Sequence, residues 1–109
     1  MPQRRHVRRL VKVEFHSRDS EGFGDLSFEG VDLSVGGTFL KSELLLEENE
    51  RLVLEFRIPG SPSAMTAVAR VAWVRRDPAD GEDAGMGIEF IEWTQGDPAQ
   101  FAEQLERLL

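Results

Sequence analysis

The amino-acid sequence predicts an all-β fold, an antiparallel barrel or sandwich, followed by a short C-terminal helix. About six short apolar segments are separated by polar gaps of hairpin length that contain glycine or proline, and no helical pattern interrupts them. A closed barrel is favoured over a sandwich because closure removes exposed strand edges. The only helical pattern lies at the end of the chain, from residue 97 onward.

The first three strands are predicted from partial alternation of apolar residues at 10–16, 25–32 and from 38 onward. Between the first two, residues 17–24 are polar and glycine-rich, which indicates a hairpin loop. Gly36 and Gly37 indicate a tight turn before Thr38 begins the third strand.

Three further strands are predicted at 51–58, 65–76 and 85–91. In the first of these, every second residue is apolar, so one face is expected to be buried: Leu52, Leu54, Phe56 and Ile58. The polar segments 59–62 and 77–83 indicate the turns. Trp73 and Trp93 are interpreted as core or barrel-end residues rather than as stacking platforms.

The C-terminal segment 97–109 has the pattern of a short amphipathic helix. Asp97 is a suitable N-cap and Pro98 fits the first helical position. Phe101, Leu105 and Leu108 then share one face. This face is expected to pack on the barrel, with packing on a partner as the alternative.

The composition indicates one domain, 1–109, in the size range that buries a core without covalent staples. The chain has no cysteine, which excludes disulfides and thiolate metal sites. His6 and His16 stand apart from any carboxylate cluster, so no metal is expected. With no apolar run near the roughly 20 residues of a membrane span and no signal-peptide pattern, we expect a soluble, cytoplasmic protein without membrane insertion.

The charge is distributed unevenly along the chain. The net charge is −7, yet the first thirteen residues carry +5 and the remainder carries −12. An acidic body repels polyanions at long range, so nucleic acid is an unlikely partner. The basic residues 1–9 are expected to form a flexible arm, which is either a solvated tail or a contact for a small anion.

Two segments have the chemistry of a nucleotide site. Arginines supply planar forks of donors that clamp phosphates and pair with guanine, and the arm contains Arg4, Arg5, Arg8 and Arg9. Asp32 accepts hydrogen bonds, Ser34 donates or accepts them, and Gly36-Gly37 allows a close backbone approach. The alternative for the second segment is a β-turn in which Asp32 and Ser34 bond their own backbone.

The pattern Asp-x-Ser-x-x-Gly occurs twice. The copy at 32–37 ends in a double glycine before an apolar strand, whereas the copy at 25–30 has no such turn. The first copy is therefore interpreted as strand residues.

Taken in order, these segments resemble the PilZ domain family, the receptor module for the bacterial second messenger cyclic di-GMP. Arg-x-x-x-Arg is satisfied by Arg4 with Arg8 and by Arg5 with Arg9, and both pairs stay open, with the second favoured. The second motif, Asp/Asn-x-Ser-x-x-Gly, fits Asp32, Ser34 and Gly37. The resemblance extends over the stretches 30–40, 69–75 and 85–90.

The resemblance implies a six-stranded antiparallel barrel over 10–93, a C-terminal helix, and an arginine arm that closes over the ligand near Asp32. It implies a non-enzymatic cyclic di-GMP receptor that acts on a downstream protein partner of unknown identity. The alternatives are an adaptor of the same fold that binds no nucleotide, a nucleic-acid binder that uses the arm, and an enzyme. No acid–base pair or nucleophile set has convincing spacing for an enzyme.

Overall fold

The computed structural model of the chain describes residues 13–18, 25–58 and 63–107. It contains six strands and one helix. Their bounds are β1 Val13–Arg18, β2 Asp25–Leu33, β3 Gly37–Lys41, β4 Arg51–Phe56, β5 Met65–Arg75, β6 Gly85–Gln95 and α1 Pro98–Arg107. The all-β fold with a short C-terminal helix is thereby confirmed.

The six strands form a closed barrel in the order β1-β2-β3-β6-β5-β4, and all neighbours are antiparallel. Pairing of His16 with Glu55 joins β1 to β4 and closes the barrel. The prediction of closure is therefore confirmed. The predicted arm, the first residues of the predicted first strand and most of the first hairpin loop lie outside the described residues.

Alternation on β4 buries the face that the sequence predicts, with Leu52, Leu54 and Phe56 inside the barrel and Ile58 buried just beyond the strand. On β5 the inward positions are taken mostly by smaller side chains, including Ala67 and Ala69. These short side chains leave room for the phenylalanine rings in the middle of the barrel.

The helix α1 packs against the barrel through Phe101 and Leu105, as expected, whereas Leu108 of the predicted face lies outside the described residues. Asp97 caps it, because the carboxylate Oδ1 accepts a hydrogen bond from the N–H of Ala99 at 2.9 Å. Phe101 is fully buried, with its ring centroid 5.6 Å from that of Phe56 and 5.2 Å from that of Trp93. This aromatic contact fixes the helix to the barrel.

A β-bulge at Val31 interrupts the pairing of β2 with β3. Before the bulge, Gly30 faces the interior, where a side chain would overlap the ring of Phe15. Strict alternation would direct Asp32 inward as well. Because the bulge inserts one extra residue, Leu33 takes the inward position and is fully buried, and Asp32 lies half-buried on the outer face.

A second bulge, at Ala72, interrupts the pairing of β5 with β6. Val71 is fully buried before it, and Val74 packs against the core after it, so Trp73 is directed outward and is 42% exposed. The prediction of a core or barrel-end position was wrong for Trp73, because alternation read along one strand does not reveal a bulge. Trp93 does pack against the core, as predicted.

Candidate ligand-binding site

The turn between β2 and β3 is closed by its own hydrogen bonds. The N–H of Ser34 donates to the carbonyl of Gly37 at 2.9 Å, and the N–H of Gly37 donates to the carbonyl of Ser34 at 3.3 Å. The Ser34 hydroxyl is buried and accepts from the N–H groups of Gly36 and Gly37, each at 3.2 Å. It also lies 3.3 Å from the Gly37 carbonyl, to which it donates. In this geometry, Ser34 shapes the turn, which is the structural alternative considered for the motif.

Gly37 allows β3 to approach β6 closely. A Cβ at this position would overlap the backbone carbonyl of Ile88 on β6. The neighbouring carbonyl of Gly36 accepts a hydrogen bond from the N–H of Phe90 at 2.9 Å. The double glycine therefore joins the turn to β6 through the backbone, and a side chain at position 37 would push the two strands apart.

Asp32 is fixed at the start of this turn. Its Oδ1 accepts from the N–H of Phe39 at 2.9 Å, and its backbone carbonyl accepts from the hydroxyl of Thr38. The side chain lies half-buried on the outer face of the barrel. A carboxylate held in this way presents acceptor atoms at a defined place on the surface.

Asp32 lies at one end of a row of paired residues that crosses four strands on the outer face. Asp32 pairs with Phe39, Phe39 with Gly87, and Gly87 with Trp73. We call these four residues the aromatic row. The ring centroids of Phe39 and Trp73 are 5.4 Å apart with planes 25° apart. A Cβ at Gly87 would overlap the indole of Trp73, so the missing side chain lets the indole lie against β6.

Arg75 completes the surface beside the aromatic row. Its guanidinium carbon lies 5.2 Å from the ring centroid of Phe39 and 5.3 Å from that of Trp73, which is cation–π geometry. Its Nε is 3.8 Å from a carboxylate oxygen of Glu82. Its Nη1 donates to the carbonyl of Asp83 at 3.4 Å.

Phe39, Trp73 and Arg75 were not identified as site residues from the sequence. A usable signal existed in the alternate glycines Gly85 and Gly87, because a strand that lacks side chains on one face leaves room for rings from its neighbours. The structure brings these residues next to Asp32, which the sequence did identify.

The predicted arginines, Arg4, Arg5, Arg8 and Arg9, lie outside the described residues. The place where their segment joins the barrel is described: Val13, at the start of β1, pairs with Gly30 on β2. Gly30 lies two positions before Asp32. Val13 therefore lies beside the part of β2 that leads to the second motif.

A groove of about 450 Å³ lies on the outer face of β1 and β2. Two carboxylates line it, those of Glu14 and Glu29, which face each other across the paired strands. Two carboxylates side by side repel an anionic ligand. This groove is therefore a poor site for a phosphate.

Within residues 13–18, 25–58 and 63–107, no group of three or more histidine or acidic side chains is arranged to hold a metal ion. In the same part of the chain, no helix has the length and apolar character needed to cross a membrane.

Among protein families, the model described as the PilZ domain matches residues 2–109 of this chain. No curated protein matches the chain significantly.

Two solved structures share the fold. The Bacillus subtilis inhibitor of motility, MotI/DgrA, is similar with a TM-score of 0.81 at 22% identity, covering 98% of this chain. This chain spans about half of that protein, 51% of its length. The PilZ domain of YcgR from Escherichia coli, solved with c-di-GMP, is similar with a TM-score of 0.61 at 19% identity. That match covers 97% of this chain and 93% of the other. At these identities, the likeness concerns the fold.

Proposed function

This chain belongs to the PilZ domain family, and we propose that it is a non-enzymatic receptor that binds cyclic di-GMP on the outer face of the barrel. One observation carries the proposal: the Asp32 carboxylate lies on the same row as the rings of Phe39 and Trp73. A carboxylate acceptor at one end of the row and an exposed indole at the other suit a dinucleotide, whose two bases offer a hydrogen-bonding edge and a flat face.

The role of each side chain follows from its chemistry. The Asp32 carboxylate accepts from the N1–H and N2–H₂ edge of a guanine, because an ionised carboxylate is acceptor-only. The exposed part of Trp73 stacks on the other base of the dinucleotide, a contact worth about 1–3 kcal/mol per base. Ser34, Gly36 and Gly37 hold the turn that positions Asp32.

The arginine arm supplies the cations for the two phosphates and closes over the ligand. The pairing of Val13, four residues after Arg9, with Gly30 supports this role, because Gly30 lies two positions before Asp32. Both motif pairs stay open, Arg4 with Arg8 and Arg5 with Arg9, and the second is favoured. Closure of the arm changes the surface that the barrel presents to a downstream protein partner, in the cytoplasm where the messenger is found.

The proposal is tested by calorimetric titration of cyclic di-GMP into the purified protein, with cyclic di-AMP as the matched ligand control. The two ligands share the phosphates and differ in the bases, so a preference for cyclic di-GMP reports recognition of guanine. A micromolar dissociation constant, about −8 kcal/mol, is expected. Asp32→Asn is expected to weaken binding by about 1.5–3 kcal/mol, since it removes a charged acceptor.

The matched variant Asp77→Asn removes one negative charge from an exposed position in the β5–β6 connection and should leave the affinity near that of the parent. A folded parent that takes up no cyclic di-GMP would favour the adaptor alternative. Tight, salt-sensitive binding of random oligonucleotides would instead favour the nucleic-acid alternative.

A further inference from the structure

Arg75 covers part of the aromatic surface that a base would use, formed by Phe39 and Trp73. Its guanidinium carbon is 5.3 Å from the Trp73 centroid and 5.2 Å from the Phe39 centroid. A base between guanidinium and indole needs two van der Waals contacts of about 3.5 Å each, or about 7 Å in total. The observed spacing is too short, so a base and the Arg75 side chain compete for the same position.

The β5–β6 connection holds Arg75 in this position. The Glu82 carboxylate lies 3.8 Å from Arg75 Nε. The same carboxylate accepts from the N–H of Ala79 at 2.9 Å, and the N–H of Glu82 donates to the carbonyl of Ala79 at 3.0 Å. These two bonds fix a turn over 79–82 that directs the carboxylate at the arginine. The position of the Glu82 carboxylate relative to Arg75 is therefore fixed by this turn.

We propose that Arg75 is a displaceable plug on the Trp73 ring and that Glu82 holds it there, so that the Arg75–Glu82 pair lowers the affinity of the site for a nucleobase. This inference rests on the proposed cyclic di-GMP site and adds its regulation. Binding then consists of an exchange, in which the base replaces the guanidinium on the indole and Arg75 swings outward. Weakening the pair favours the ligand-bound state.

Four variants test the exchange in matched pairs. Glu82→Gln removes the charged partner of Arg75, and Asp80→Asn removes one charge from the same connection without removing that contact. Arg75→Ala removes the plug, and Arg76→Ala removes the same charge from the neighbouring exposed position. Cyclic di-GMP is titrated calorimetrically into all four variants and the parent at about 0.15 M ionic strength, where charges beyond about 8 Å are largely screened.

Glu82→Gln is expected to bind about two- to fivefold more tightly than Asp80→Asn, the range of an exposed ion pair. Arg75→Ala is expected to bind about twofold or more tightly than Arg76→Ala, because loss of the plug also removes the cation–π contact. Without ligand, acrylamide should quench the tryptophan fluorescence of Glu82→Gln more strongly than that of Asp80→Asn, since Trp73 becomes more accessible.

Weaker binding by Arg75→Ala than by Arg76→Ala would overturn the plug and make Arg75 a ligand contact, while the receptor proposal stands. Equal affinity and equal quenching of Glu82→Gln and Asp80→Asn would also overturn it. If no protein of the set bound cyclic di-GMP, the receptor proposal would fail and this inference with it. Binding by Arg75→Ala or Glu82→Gln but not by the parent would support both.

Discussion

Asp32 and Trp73 lie at opposite ends of one row on the outer face of the barrel, and a β-bulge immediately before each residue directs its side chain outward. Only two residues separate them along the row, Phe39 and Gly87. Without the bulges, strict alternation would turn both side chains toward the core. The two bulges therefore place on the outer face two side chains that a regular sheet would direct into the core. Bulges are common next to binding sites.

Replacing Trp73 should affect binding and not folding. Trp73→Ala is expected to weaken cyclic di-GMP binding by about 1–3 kcal/mol, the range for loss of one base–aromatic stack. Its stability should fall only by the lost contact with Phe39, about 0.5–1.5 kcal/mol, because Trp73 is 42% exposed and lies outside the core. Calorimetric titration and thermal denaturation measure the two quantities.

The matched control is Trp93→Ala, which truncates the other tryptophan. Trp93 packs against the core, with its ring centroid 4.9 Å from that of Phe90. This variant should lose about 3 kcal/mol of stability. Similar losses of stability in both variants, with unchanged affinity for Trp73→Ala, would contradict a stacking role.

The regular parts of the fold are predicted from the sequence because they depend on local patterns. Alternation of Leu52, Leu54 and Phe56 sets the buried face of β4, and Asp97 followed by Pro98 marks the start of the helix. The turn at Gly36 and Gly37 is likewise predicted. Each of these features is determined by residues within a few positions of one another.

The sequence predicts one part of the site and misses the other, for a physical reason. Asp32 belongs to a local motif, whereas Trp73 depends on cross-strand register and on the bulge at Ala72, which no pattern within β5 reveals. A side chain at position 87 would overlap a ring on the next strand, that of Trp73. Such contacts join residues distant in sequence, so they become visible only in the structure.

Adding a methyl group at Gly87 should disturb the aromatic row with a limited cost in stability. A Cβ there overlaps the indole of Trp73, which is an exposed side chain and can move. Gly87→Ala is therefore expected to weaken cyclic di-GMP binding about as much as Trp73→Ala. The indole N–H resonance of Trp73, assigned by its loss in Trp73→Phe, should shift. An unchanged resonance together with parental affinity would mean that the ring position is unimportant.

Adding a methyl group at Gly37, unlike at Gly87, should mainly reduce the stability of the fold. There the Cβ meets the backbone carbonyl of Ile88, which moves only if β3 and β6 separate. Gly37→Ala is expected to lose about 3 kcal/mol, at the upper end for overpacking. The control is Gly81→Ala, where φ is +84° and no atom lies within 4 Å. That variant should lose only about 1–2 kcal/mol from backbone strain. Chemical denaturation measures the stability of both variants. An equal loss of stability would argue against the close approach of β3 and β6.

The last prediction decides between the two arginine pairs of the arm. Each pair has the spacing of the first motif, and both precede the same strand, so each serves as the control for the other. The double variant Arg5→Ala/Arg9→Ala is expected to lose more affinity for cyclic di-GMP than Arg4→Ala/Arg8→Ala, by about 1.5 kcal/mol or more per lost charge-assisted contact. Both variants remove two positive charges, so long-range attraction changes equally and the difference reports direct contact. Calorimetric titration at two salt concentrations measures this difference, which should persist at the higher salt because contacts at hydrogen-bond distance are screened less than distant charges. Equal losses that vanish at high salt would instead show that the arm acts only through its net charge.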